Sequence, residues 1–324
     1  MNNHSHSHNH RRTFVVLLLL PLAAGCTRSE TPATSQKPRI ALVLKTLNSP
    51  FFIEMQKGAT AAAGQLGVDL VVQAAEREVD VEKQMQIIEN LLQTGVAALC
   101  VTPSGSKEIV PAIKKANEAK IPVVVVDTRV DPGAAQEAGI RVDSFIGSDN
   151  YEGGRLAGMH LIELTKGKAK VGLLEGIPGH ETGDSRLKGF HDAIRQAPGI
   201  AVAASQTANW ERDQGFTVFQ NMLQAHPTID ALFACNDMMA LGAIEAIAAA
   251  GKTGTITVIG FDAVDDAKKA MEGGTLAASV AQFPGEMGRL AVLSAHKLIH
   301  GQSVPADQTT KIELVTRSSL QASK

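Results

Sequence analysis

From residue 39 onward, short apolar runs alternate with stretches whose apolar positions recur at helical spacing. The runs at 40–44, 70–73, 97–101, 123–126, 145–147, 171–174, 202–205, 231–234, 257–261 and 277–281 predict strands, and 311–315 is expected to be extended too. The helical period predicts helices between them, among others over 54–66, 81–92, 184–196 and 240–250. This alternation predicts an α/β fold, with parallel sheets covered by helices on both faces. About ten strands are too many for one sheet in a body of this size, so two open sheets fit better. A closed eight-unit barrel is the competing architecture. Against it, the strands ending near Asp149 and Gln282 read as passages between two halves.

In open parallel sheets, ligands bind beyond the carboxyl ends of the strands. Those ends carry Lys45, Ser49, Phe51 and Phe52 after the first strand, and Asp127, Thr128 and Arg129 after the fourth. The sixth leads to Asp184, Ser185 and Arg186, and the seventh to Asn209 and Trp210. The eighth ends in Asn236 and Asp237, the ninth in Asp262, the tenth in Gln282. Each has a plain alternative. Asn236 or Asp237 caps a helix, as Asp262 does; Asp127 pairs with Arg129 in a turn; Arg186 is a solvated charge; Trp210 is core. Their recurrence at successive strand ends favours a common site. Carboxylates, amides and guanidinium groups can each hold two neighbouring hydroxyls, and aromatic rings stack on C–H faces. That chemistry points to a monosaccharide gripped by Phe51 and Phe52 from one side and Trp210 from the other.

Composition narrows the classes. Apolar residues make up 44% and charged residues 20%, as in ordinary globular proteins. A net charge of -2 offers no electrostatic case for nucleic acid. No cofactor, metal or catalytic residue is expected. Asp127 and Asp262 could pose as a glycosidase pair, and Ser185 as a nucleophile, but Ser185 lies in no Gly-x-Ser-x-Gly elbow and no His is paired with it. The loop Thr102-Pro-Ser-Gly-Ser106 lacks the Gly-Lys-Ser/Thr ending of a phosphate loop. Cys100 and Cys235 lie in or at the end of apolar runs and are expected to be two buried thiols.

The amino terminus reads as an export signal. Arg11-Arg12 precedes the apolar run 14–22, which is too short to remain as a spanning helix. Leu22-Ala-Ala-Gly-Cys26 resembles the lipobox of bacterial lipoproteins. This implies a signal peptide over 1–25 and a lipid on Cys26, a plain secretory site being the alternative. The Ser-, Thr- and Pro-rich stretch to residue 38 then reads as a tether. Histidines 4, 6, 8 and 10 precede the cleavage point and read as passengers.

The segments LKTLNSPFF (44–52), IPVVVVDTRV (121–130), SDNYEGGRLAG (148–158), ASQTANWERDQG (204–215), ACNDMMALGA (234–243), VIGFDA (258–263) and ASVAQFP (278–284) carry a specific pattern. With them the chain resembles the ribose-binding family of bacterial periplasmic binding proteins, over nearly all of its length after the tether. The resemblance implies two Rossmann-like domains joined by three crossings and closing on a monosaccharide. One lobe would comprise 38–148 plus 283–312, the other 149–282 plus 313–324. By position the family's sugar contacts fall on Phe51, Phe52, Asp127, Arg186, Trp210, Asn236, Asp262 and Gln282. The chain departs from ribose binders at Lys45, Ser49 and Thr128, which replace a short hydroxyl residue, an Asn and an Arg. Lys45 and Trp210 resemble the allose-binding branch, and Lys45 is expected to set which sugar is accepted. The implied role is a monomeric, lipid-anchored envelope protein delivering sugar to an ABC permease; a sensor serving a chemoreceptor or histidine kinase is the alternative. A repressor with the same core would need an amino-terminal helix-turn-helix, where this chain has an export signal.

Overall fold

In the computed structural model, which describes His10 and residues 37–322, β1 (Arg39–Thr46) leads into α1 (Pro50–Leu66). The chain continues through β2 (Asp69–Ala75), α2 (Val81–Gln93), β3 (Ala98–Val101), α3 (Val110–Glu118), β4 (Val123–Val126), α4 (Pro132–Ala138) and β5 (Ser144–Ser148). A second series follows: α5 (Asn150–Thr165), β6 (Lys168–Glu175), α6 (Glu181–Ile194), β7 (Gly199–Thr207), α7 (Arg212–Ala225) and β8 (Ala231–Ala234). It ends with α8 (Asp237–Ala249), β9 (Thr257–Asp262), α9 (Asp265–Gly273) and β10 (Ala278–Ala281). Then come α10 (Pro284–Ile299), β11 (Asp307–Thr310), β12 (Glu313–Thr316) and α11 (Arg317–Ala322). The signal, the lipobox with Cys26, and the tether up to residue 36 lie outside the described residues. No helix among the described residues is long and apolar enough to cross a membrane.

β1 shows how sequence makes this layering. Its side chains alternate between faces. Ile40, Leu42 and Leu44 join Met55 of α1 and Met287 of α10 in one core, while Ala41 and Val43 join Ile88 of α2 and Ile113 of α3 in another. Both faces are buried, so the strand reads as an unbroken apolar run. Strand order is β11-β5-β4-β3-β1-β2 in one sheet and β12-β10-β9-β8-β6-β7 in the other. Every pairing is parallel except β10 with β12. In each sheet the first strand of its half, β1 or β6, has its neighbours on opposite sides connected in opposite directions. A ligand crevice belongs at such a switch point.

The segment 311–315 is not one strand. β11 pairs parallel with β5 in the first sheet and β12 antiparallel with β10 in the second, and Lys311 and Ile312 only connect them. The chain thus passes between the sheets after β5, after β10 and after β11. Helices α1, α6 and α8 begin about three or four residues before the apolar period does. The first turns of α1 and α6 hold Phe51, Phe52 and Thr182, which line a cavity, and α8 opens on buried Asp237, so the period is masked there. Cys100 and Cys235 are buried free thiols, and burial pushes both up to about 12.

Candidate functional site

The strand ends of the two sheets meet around one cavity. Its wall is formed by Lys45, Ser49, Phe51, Phe52, Glu78 and Asp127 from the first half, and by Thr182, Arg186, Trp210, Asn236, Asp262 and Gln282 from the second. Ten of the eleven candidate binding residues are therefore brought together. Thr128 is not on that wall: it is fully buried, and its hydroxyl donates to Asp127 Oδ2 at 3.1 Å. It braces the carboxylate from behind.

Pro50 occupies the start of α1, and its ring fixes a backbone angle suited to a first helical turn. Phe51 and Phe52 follow within that turn, edge to face at 5.2 Å, lining the cavity while also closing the first-sheet core. Lys45 is 2% exposed rather than reaching out to water. Its Nζ donates to Asp127 Oδ2 at 3.1 Å, lies 3.7 Å from Glu78 Oε2 and stands 5.6 Å from the Phe52 ring centre. Asp127 therefore pairs with Lys45; Arg129 turns away to Asp307 and the Phe145 ring.

Arg186 is 4% exposed, on the first turns of α6. Its Nε donates to Asn150 Oδ1 at 2.9 Å and its Nη1 to the Cys235 carbonyl at 2.7 Å. The guanidinium lies 3.8 Å from the Phe261 ring centre and 5.6 Å from that of Trp210, with Asp262 Oδ1 at 3.9 Å. The helix comes this close because α5 carries Gly154: a Cβ there would stand 1.9 Å from the Arg186 carbonyl oxygen. Asn236 caps α8, its Oδ1 accepting from the Met239 N–H, yet it lines the cavity and donates to the Trp210 carbonyl at 3.1 Å. Asp262 caps nothing; it accepts from Gln282 Nε2 at 2.7 Å. Burial is the main cause that pushes Asp262 up to about 6, with Arg186 opposing it. Behind it, fully buried Asp237 accepts from the Ser279 hydroxyl and the Val264 N–H; burial, then the charge of Asp262, raises it well above the carboxylate range.

Asp127, Trp210 and Asp262 have φ of 67°, 68° and 108°. Such backbone is uncommon outside glycine and costs of order 1–3 kcal/mol where it persists. All three of these residues line the cavity. The indole of Trp210 packs against Gly176, where a Cβ would stand 1.9 Å from Cζ2. Gly176→Ala is therefore expected to shift the emission of this protein's single Trp and to cost about 1–3 kcal/mol by overpacking. Fluorescence and a urea melt check this; an unchanged spectrum would show that the indole is not held there.

Two wall residues, Glu78 and Thr182, are absent from the sequence expectation. Glu78 sits in the charged run Glu76-Arg-Glu78, which reads as solvated surface, although the strand-end rule applied to β2 points to it. It is 7% exposed, and burial pushes it up to about 7 against the attraction of Lys45. Nearby His180 is driven down to about 4, first by burial and then by Lys45. Three buried wall atoms have no hydrogen-bond partner among the described residues: Thr182 Oγ1, Trp210 Nε1 and Gln282 Oε1. A donor, an acceptor and a hydroxyl that does both suit a ligand bearing several hydroxyls.

The comparisons agree with this architecture. The periplasmic binding protein domain family matches residues 40–303. A D-ribose/D-allose-binding protein of Pseudomonas aeruginosa is 38% identical over 303 residues, covering 92% of this chain and 93% of that one. A D-allose-binding periplasmic protein of Escherichia coli is 34% identical, covering 85% of this chain and 89% of that one. An ABC transporter periplasmic solute binding protein from Actinobacillus succinogenes, solved with bound D-allose, superposes with a TM-score of 0.83 at 37% identity, covering 88% of this chain and 100% of that one. By its fold and by these matches, this chain belongs to the periplasmic binding protein family.

Proposed function

We propose that this protein is the substrate-binding component of an ABC-type sugar importer, holding one monosaccharide between its two halves and releasing it to a permease. The observation that carries this reading is the cavity wall itself. Carboxylates, an ammonium, a guanidinium and two amides converge there from both sheets, beside Phe51, Phe52 and Trp210. Such a wall offers hydrogen bonds to each of several ring hydroxyls and an apolar surface to the ring's C–H face. Relatives of this chain are solute-binding proteins, and in this reading the ligand is bound and not transformed.

In this reading the amino-terminal lobe is 38–148 with 283–312, the other is 149–282 with 313–324, and closure about the three connections brings Lys45 and Asp127 against Arg186, Asn236, Asp262 and Gln282. Sugars of the ribose and allose type are the first ligands to consider, because relatives of this chain are named for them. The protein acts as an exported monomer, tethered by a lipid on Cys26 behind the signal over residues 1–25.

Melting curves of the mature protein with pentoses, hexoses and polyols test the sugar reading. A ligand that binds only the folded state at 100 times its Kd adds about 2.7 kcal/mol to stability. D-ribose or D-allose is expected to raise Tm, with a single site by calorimetry. No shift with any sugar of the panel would remove this reading.

A further inference from the structure

We propose that Glu78 is a ligand-contacting residue: its carboxylate accepts a hydrogen bond from one hydroxyl of the bound sugar, and sugar binding releases a proton from it. The proposal rests on the sugar-binding reading above and deepens it.

The geometry carries it. Glu78 is on the cavity wall and almost fully buried, yet its carboxylate has no hydrogen bond among the described residues. Its nearest cation, Lys45 Nζ at 3.7 Å, is beyond hydrogen-bond reach and already donates to Asp127. Hydrogen bonds hold the backbone just before Glu78. The Glu76 carbonyl accepts from Thr46 Oγ1 and from Asn48 Nδ2, each at 2.8 Å, and the Arg77 N–H donates to Asp80 Oδ2 at 2.9 Å. Arg77 Nε reaches across the cleft to Glu211 Oε1 at 3.4 Å, pinning the same loop from the other half. An acceptor that faces the cavity with no protein donor is open to one from the ligand.

A hydroxyl fits between the two groups. Its oxygen accepts from a free N–H of Lys45, and its hydrogen goes to Glu78. That bond favours the ionised carboxylate. The charged groups acting on Glu78 are Lys45 from β1, Asp127 from the end of β4, Asp262 from β9 and Glu211 before α7; only Lys45 favours its ionisation. In the free protein near neutral pH a fraction of Glu78 carries a proton. When the hydroxyl binds, that proton leaves to buffer as the carboxylate ionises, and no covalent bond changes.

Calorimetry with D-allose and D-ribose, at pH 7 in phosphate and in Tris, reads the proton directly, because the two buffers take it up with different heats. Wild-type protein is expected to release a fraction of a proton per sugar bound at pH 7, and to bind roughly tenfold more tightly at pH 8 than at pH 5.5. In Glu78→Gln more than half of that release should vanish, the remainder belonging to Asp262, and affinity should fall at least about tenfold. No buffer dependence in the wild type, which needs no variant to fold, overturns the proposal. So does a Glu78→Gln protein with wild-type affinity and proton release. If neither sugar binds, the sugar reading itself fails and this proposal with it, a result distinct from tight binding without a proton.

Discussion

Arg186→Met is expected to lower sugar affinity by roughly 10- to 150-fold, the 1.5–3 kcal/mol typical of losing a hydrogen bond to a charged group. The guanidinium joins four parts of its half at once. It donates to Asn150 on α5 and to the Cys235 carbonyl after β8, covers the Phe261 ring, and opposes the charge of Asp262. Met keeps much of the apolar stem against Phe261 but supplies no donor. Asp262 then loses the main influence holding its carboxyl down, and burial drives it further up. A neutral Asp262 is a poorer acceptor for sugar hydroxyls, so two contacts weaken together. Calorimetry beside a thermal melt separates the roles. Loss of stability with undiminished affinity would make Arg186 a strut between α5 and α6 and nothing more.

The second large effect concerns stability without ligand. Glu78→Gln is expected to stabilise the free protein by about 3 kcal/mol at pH 8 and hardly at all at pH 4.5. The carboxyl sits at about 7 in the folded chain against its ordinary 4.5. Below pH 4.5 it is protonated in both states and costs nothing. Between pH 4.5 and 7 the folded state binds more protons than the unfolded one, so stability falls as pH rises. Above pH 7 the full cost of burying the charge is present. Gln keeps the shape and removes that contribution, while those of Asp262, Asp237 and His180 are common to both proteins. Urea melts of both proteins at pH 5 and 8 check this, and an equal difference at the two pH values would sink it. A residue that lowers stability at neutral pH while facing a cavity fits a site shaped for its ligand rather than for its fold.

The two-sheet α/β fold and most of the wall were legible because of period and position. A strand buried on both faces must be apolar throughout, so 40–44, 123–126 and 231–234 announce β1, β4 and β8 directly. The end of such a run locates the sheet edge where ligands bind, and Lys45, Asp127, Asn236 and Asp262 all stand at one. The same rule reached Arg186, Trp210 and Gln282 beyond their strands, and the resemblance of the quoted segments to a known family carried sugar contacts onto them by position.

Tertiary structure alone decided what those groups do to one another. Nothing local tells that Lys45 turns inward to Asp127, that Thr128 braces that carboxylate instead of facing the cavity, or that Asn236 both caps a helix and lines the wall. These outcomes depend on partners 82 residues away in the case of Lys45 and Asp127. The positive φ of Asp127, Trp210 and Asp262 is likewise invisible, since only the surrounding packing can hold a non-glycine residue there. Glu78 is the sharpest case. In the sequence it is one charge in a charged run, while the fold buries it on the cavity wall beside Lys45. Apolar periodicity is written residue by residue because burial of a strand is a property of its own side chains; the state of a buried charge is set by whatever the fold places beside it.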